Sequence, residues 1–289
     1  MSTASGVYWL GLWLSLLCVA ATLTGCGWLW SPNTSDLYSA QNCAFVNGQS
    51  EATIAPRIID CLIDVLVKVS GDPTVADDLK RSAFASSAHD YVTKLTYRDF
   101  MEGLPIGDEQ GTRDRPFFLT VTFTPARVDA LLNALSRKPW MGPRPRIVVI
   151  LGESKFGRDT FLTTDSDWGV DQRSALSDAA QQMGLSSTLP TKTSPSIAEL
   201  TYETVKASAP ADFTAVATGA GGDLPMVGTI SWDDGARVWR ADWRLDHGGR
   251  TYGWGTQSVT FDEAFRAAMR DALQILSGHG APIEQVRQQ

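Results

Sequence analysis

No Asp, Glu, Lys or Arg occurs in the first 35 residues of this 289-residue chain; Asp36 is the first charge. The 25 Lys+Arg and 32 Asp+Glu therefore all lie in the remaining body, which keeps the full net charge of −7. An acidic body without a basic run makes a poor nucleic-acid binder, because neutralising phosphates is the main source of that affinity. Histidine is scarce too. His89, His247 and His279 are the only three, and their scatter argues against a His-rich metal centre. The four cysteines have no CxxC spacing, which removes a redox or zinc motif. There is no GxSxG, no phosphate loop of the Walker type and no HExxH. We therefore assign no catalytic residue, no metal ligand and no cofactor. The length allows two small domains or one large one.

What is present begins at the amino end. Val7–Trp30 is 24 residues without a charge, enough to span a bilayer, which takes about 20. Within it, Leu23-Thr24-Gly25-Cys26 resembles the lipobox of bacterial lipoproteins, whose cysteine sulfur takes a diacylglyceryl group. That resemblance makes residues 1–25 a signal and Cys26 the lipidation site, with further acylation such as palmitate. Several acyl chains make attachment stable where one is marginal. Gly27 in place of Asp favours the outer membrane. Export signals also carry Lys or Arg ahead of the apolar core, and Met1–Gly6 has neither. An uncleaved single-pass anchor and a signal cleaved without lipidation are the alternatives. All three place the body outside the cytoplasm, facing the periplasm, and Trp28 and Trp30 suit the membrane interface.

Cys18 leaves with the signal and Cys26 takes the lipid, so Cys43 and Cys61 remain as an even pair. A disulfide between them fits an oxidising compartment. Alternatively, Cys61 is a small apolar residue on a helix face and Cys43 a loop thiol.

Turn-rich Ser31–Ser50 reads as the end of a tether over 26–50. The apolar spacing of Ile54, Ile58, Leu62, Val65, Leu66 and Val69 predicts a helix stopped at Ser70–Pro73. A second helix is expected over Val75–Phe100, with Leu79, Ala83, Tyr91, Val92 and Leu95 inward; His89 is a solvated or capping residue there. Met101–Arg115 reads as a loop, Phe117–Thr124 as a strand, and Pro125 as the first turn of a helix through Leu135. These define an N-terminal domain over 51–138. Residues 139–146 form a Pro-rich hinge, and 147–279 a second domain before a frayed tail at 280–289. In the second domain, strands are expected at Ile147–Leu151, Leu185–Leu189, Phe213–Thr218, Met226–Trp232, Arg237–Leu245 and Thr251–Val259. Helices are expected at Asp171–Met183 (ended by Gly184), at Ser196–Ala207 and from Thr260 to Gly278. The fold class is α+β and α/β: a small helical α+β domain followed by a mixed-sheet α/β domain.

Leu66–Asp72 after a helix, Phe118–Phe123, Leu131-Leu132, and Pro139-Trp140 with Arg144-Pro145 before a hydrophobic strand resemble an uncharacterised bacterial envelope family (domain of unknown function 2066). The resemblance spans roughly Glu51 to Leu276. The second half is also similar to the amino-terminal domain of TolB and to the curli-secretion and penicillin-binding-protein-activator lipoproteins. These resemblances imply an accessory or binding role in the envelope and bring no catalytic residues.

Two candidate motifs fail on inspection. Gly219–Gly222 leads into another strand, whereas a dinucleotide loop needs a helix N-terminus. Asp165, Asp167 and Asp171 lack the Gly and Glu of an EF-hand loop, so they read as solvated loop acids. Tryptophan is the unusual feature. On one predicted strand Trp239 and Trp243 share a face while Arg240 and Arg244 share the other, and Trp232 and Trp254 sit on the flanking strands. If the last helix covers that face, the indoles are core. If part is open, Trp239, Trp243 and Trp254 suit a sugar-containing or peptide ligand. Trp140, Arg144 and Arg146 in the hinge divide in the same way, between domain orientation and contact with a ligand or partner. The expectation is a non-enzymatic, membrane-held envelope protein that binds another envelope protein or a cell-wall ligand. A hydrolase of envelope material with a dispersed carboxylate pair is the alternative.

Overall fold

Alternating and helical apolar patterns divide the body between two sheets, each with helices packed on it. The computed structural model describes residues 34–282 apart from 105–106, 109–110, 113–114, 195–196 and 198–199. The signal or anchor over 1–25, Cys26, Trp28 and Trp30 lie outside the described residues.

The first half runs α1 (Thr34–Leu37), β1 (Ser39–Asn47), α2 (Glu51–Ser70), α3 (Val75–Arg81), a 3₁₀ segment (Ala83–Tyr91) and β2 (Val92–Asp99). A small hairpin follows, β3 (Gly107–Asp108) with β4 (Gly111–Thr112), then β5 (Pro116–Phe123) and α4 (Pro125–Ala134). The sheet order is β1-β5-β2, antiparallel throughout. Helix α2 is capped by Ser50, whose side chain accepts from the Thr53 N–H. Its expected apolar face from Ile54 to Val69 is buried against the sheet.

Three expectations for this half are corrected. Ser39–Asn47 is not tether but the edge strand β1: Tyr38, Ala40 and Val46 are buried among polar neighbours. The expected helix over Val75–Phe100 breaks into α3, the 3₁₀ segment and β2. A bulge between Val92 and Lys94 puts Val92, Leu95 and Tyr97 opposite Phe123, Val121 and Leu119. The extra residue gives Val92 and Leu95 a spacing of three on one strand face, which mimics a helix. The expected loop Met101–Arg115 contains the β3–β4 hairpin.

The second half runs β6 (Arg146–Lys155), β7 (Arg158–Phe161), α5 (Val170–Gln182), β8 (Ser186–Thr188), α6 (Tyr202–Ala207), a 3₁₀ turn (Pro210–Phe213) and α7 (Thr214–Gly219). It closes with β9 (Leu224–Asp233), β10 (Val238–His247), β11 (Arg250–Ser258) and α8 (Phe261–Leu276). The sheet order is β11-β10-β9-β6-β7, with β8 parallel to β6 beside its first residues. β6 is parallel to both β8 and β9, and the remaining pairs are antiparallel. Helices α5 and α8 cover one face; α6 and α7 cover the other. The fold is thus of the α+β and α/β class expected.

Here Phe213–Thr218 is corrected from strand to helix. Phe213, Val216 and Ala217 are buried while Ala215 is exposed, a helical spacing that the alternating letters conceal. Of the helix expected over Ser196–Ala207, Tyr202–Ala207 is helical behind the Thr201 capping box, while Ser196 lies outside the described residues. β7 is an additional strand, folded back on β6 through Phe156-Gly157.

One cluster of buried residues extends from Leu37 to Leu276 through both halves. The 139–146 segment therefore separates two sheets but not two cores. Cys43 and Cys61 form a disulfide that pins β1 to α2 across 18 residues. Replacing both cysteines by serine should lower the unfolding free energy by about 3 kcal/mol. Urea unfolding of parent and variant would measure this, and coincident curves would refute it.

Candidate functional site

Three places gather the residues that the sequence singles out, or should have. The first is the seam between the halves. Arg144 is buried, and its Nη2 donates to the Lys68 carbonyl at 2.8 Å, near the end of α2. Its Nη1 donates to the Met183 and Gly184 carbonyls at 3.1 and 3.4 Å, where α5 ends. The guanidinium lies 4.4 Å from the centre of the Trp140 ring. The Trp140 N–H donates to the Val69 carbonyl at 2.7 Å. Arg146 belongs to β6; its backbone N–H donates to Asp223 Oδ2 at 2.8 Å and its side chain to the Gly221 carbonyl. Arg144 and Trp140 thus tie the hinge to the end of α2, whereas the contacts of Arg146 stay within the second half.

Around them lies a titratable cluster that sequence reasoning missed. Lys68 is buried on α2 and its Nζ donates to the Ser39 carbonyl at 2.6 Å and the Asp36 carbonyl at 3.3 Å. Burial draws its pKa down to about 8 and that of Arg144 down to about 10. Asp64, one turn before Lys68, is pushed up to about 6, chiefly by burial, and Asp271 on α8 also to about 6. The signal was a lysine inside the apolar run Val65–Val69.

The second place is the tryptophan layer. Trp239, Trp243 and Trp254 are 5, 1 and 6 % exposed, beneath α8. Trp239 packs edge-on against Trp232 at 5.5 Å and Phe261 at 6.2 Å, and Trp243 against Phe265 at 6.2 Å. Trp243 faces Trp254 across β10–β11. A ligand could not reach these three indoles without displacing α8, so the layer is a packing arrangement. On the other face, Arg240 pairs with Asp233 at 2.9 Å and Arg244 donates to the Val205 carbonyl. Trp243 also depends on a neighbour without a side chain. A Cβ on Gly228 would lie 2.3 Å from its ring.

The third place is the outer face of the first sheet, opposite α2. Phe45, Phe118 and Arg98 stand in one row across β1, β5 and β2. Phe45, Phe118 and Phe100 form a triangle with ring centres 5.4–5.7 Å apart, and Arg98 lies 4.5 Å over Phe118. Phe45 and Phe100 are 48 and 59 % exposed. The signal was legible in Phe117–Thr124: Phe118 is the aromatic that breaks the polar phase shared by Thr120 and Thr122.

Two shallow cavities lie among the described residues near these places. One of about 320 Å³ lies between the 3₁₀ segment and α4, lined by Phe84, Asp90, Tyr91 and Arg127 among others. The other, about 170 Å³, lies beside β7 and includes Thr163, Ser166 and Lys192. Asp165 is held below the usual carboxylate range, first by the Lys192 N–H, which it accepts at 2.7 Å.

Residues 32–141 match a family described as a domain of unknown function (DUF8605). The match covers the first sheet with its helices, the outer aromatic face included, and ends inside the hinge before Arg144. No curated protein and no solved structure matches the chain.

Gly228→Ala should destabilise the protein by about 1–3 kcal/mol, because the added methyl overpacks against Trp243; thermal unfolding with intact near-ultraviolet tryptophan signals would measure it. The titrations give a signed expectation as well. Asp64 keeps its proton to about pH 6 when folded but releases it near 4 when unfolded. The folded state binds more protons in that window, so Asp64 contributes a loss of stability as pH rises through it. Asp64→Asn should therefore gain on the parent between pH 4 and 7. A difference that is flat or shrinks with pH would contradict this.

Proposed function

We propose that this chain is a non-enzymatic, periplasm-facing protein of the bacterial cell envelope. It is held at the membrane by lipid on Cys26, with the outer membrane favoured, or by Val7–Trp30 as a single span. It serves as an accessory, adaptor or binding module for another envelope protein or a cell-wall ligand. The observation that carries this reading is the Cys43–Cys61 disulfide, since such bonds persist in oxidising compartments. Leu23–Cys26 lies only a few residues ahead of the first described helix, and fits the same compartment. Among the described residues no helix is long and apolar enough to cross a membrane, so attachment rests with Val7–Trp30 or Cys26.

Finer resemblances support the reading. The hinge and the following strand are similar to the domain of unknown function 2066, and the second half to the TolB amino-terminal and curli-secretion lipoprotein fold. The hydrolase alternative requires a cleft with two carboxylates of separated pKa. Of the two cavities described, one is lined by Asp90 and the other has no carboxylate lining.

Cys26→Ala should abolish incorporation of labelled lipid and leave the precursor unprocessed. If the variant still fractionates with membranes at the parent's mass, Val7–Trp30 is an uncleaved anchor. If both forms are soluble, the membrane reading fails.

A further inference from the structure

We propose that the outer face of the β1-β5-β2 sheet lies against a phospholipid bilayer bearing anionic headgroups. The proposal rests on the membrane-held reading above and identifies the surface through which the body meets the membrane.

Four of the nine exposed large apolar side chains among the described residues are Phe45, Phe100, Met101 and Leu104. They collect at one end of this face and in the turn that follows β2. Arg115 holds that turn by donating to the Met101 and Leu104 carbonyls and pairs with Asp99 at 2.9 Å. The apolar cluster is therefore braced from beneath. A contiguous aromatic patch left in water marks a contact surface.

Charge selects the kind of surface. Beyond the row of Phe45, Phe118 and Arg98, the outer face continues with Thr120 opposite Thr96 and Thr122 opposite Lys94. These rows hold two cations and no carboxylate, on a chain of net charge −7; at the turn, Asp99 is paired with Arg115 and Glu102 follows. Aromatic rings beside cations on a threonine-lined plane suit the zone between acyl chains and anionic headgroups. Neither of the two cavities described above is lined by residues of this face.

Reach selects the membrane as the occupant. Trp30 closes the uncharged segment and Thr34 opens α1, four residues on. Fully extended, that stretch covers about 14 Å. A segment seated in or on the bilayer therefore holds the start of β1 close to it. Phe45 lies six residues beyond Ser39, about 20 Å along the strand. Both can be at the membrane only if the sheet lies along the surface rather than end-on, and its outer face is the one free of α2.

The test uses the full chain reconstituted in vesicles of phosphatidylethanolamine and phosphatidylglycerol containing a diazirine-bearing lipid. After flotation and irradiation, lipid adducts should concentrate on the peptides of residues 92–104 and 116–123. They should exceed those on β10 by roughly fivefold or more, as expected for side chains at the acyl boundary against side chains remote from it. Substituting Phe45→Ser and Phe100→Ser together, both at exposed positions, should reduce those adducts severalfold and leave adducts before Thr34 unchanged. If the chain floats but its adducts lie only before Thr34, the outer-face assignment is overturned while the tether stands. Undiminished adducts in the double variant overturn it equally. A chain that does not float overturns the tether and this inference together.

Discussion

The carboxyl end of α2 is the joint on which both halves depend. A helix leaves its last four carbonyls without internal partners, and at this buried end each orphan would cost about 1–3 kcal/mol. The local chain supplies one donor to these, the Gly71 N–H to the Val67 carbonyl. The rest come from far along the sequence. Arg144 donates to Lys68 and the Trp140 N–H to Val69, and Ser277 Oγ donates to the Gly71 carbonyl just past the helix. Gly71 permits this in two ways. Its φ of 74° turns the chain, and a Cβ there would meet Ser277 Oγ at 2.2 Å.

Arg144 also explains how a cation can be buried at this joint. It receives the carbonyl ends of two helices, α2 and α5, each carrying the negative end of a macrodipole. The planar fork divides its donors between them and stacks on Trp140 with its face. Lysine could supply the charge but neither the fork nor the stack. The second sheet is secured differently, by aromatic area. Helix α8 lays Phe261 and Phe265 on the tryptophans of β10, and its amino end is set by Thr260, which accepts the Glu263 N–H. The Trp243 and Trp254 indole N–H groups are buried without hydrogen-bond partners among the described residues. The packing there must outweigh two desolvated donors.

Periodic elements were legible in the sequence because burial and spacing agree in them: α2, α5, β6, β9–β11 and α8 stand close to where their patterns put them. The misreadings have local causes. The bulge at Val92–Lys94 gave a strand the spacing of a helix, and alternation in Phe213–Thr218 gave a helix the look of a strand. Ser39–Asn47 looked like tether because its strand character depends on pairing with β5, some 80 residues later. Trp140 and Arg144 were recognised as a pair, but the carbonyls they serve lie on α2 and α5, and nothing local in sequence encodes that distance. Lys68 and the Phe45–Phe118–Phe100 triangle were missed for a shared reason. Each breaks its element's apolar or polar phase at a single position, and only the assembled fold shows why.

The distribution of such exceptions separates structure from function. Polar groups on apolar faces, Lys68, Arg144 and Asp64, are drawn inward and satisfied or titrated at the seam, where they define how the two sheets meet. Of the apolar groups on a polar face, Phe45 and Phe100 stay exposed and Phe118 is half-buried beside them. Both departures cost stability in the isolated chain, but only the first is offset within it. The seam's cations find helix-end carbonyls, whereas the aromatic triangle finds only its own rings and Arg98. A sheet packed on one side by α2 and held by a disulfide to that helix can keep such a face rigid in water. The bilayer contact proposed above would supply the offset for exposing it.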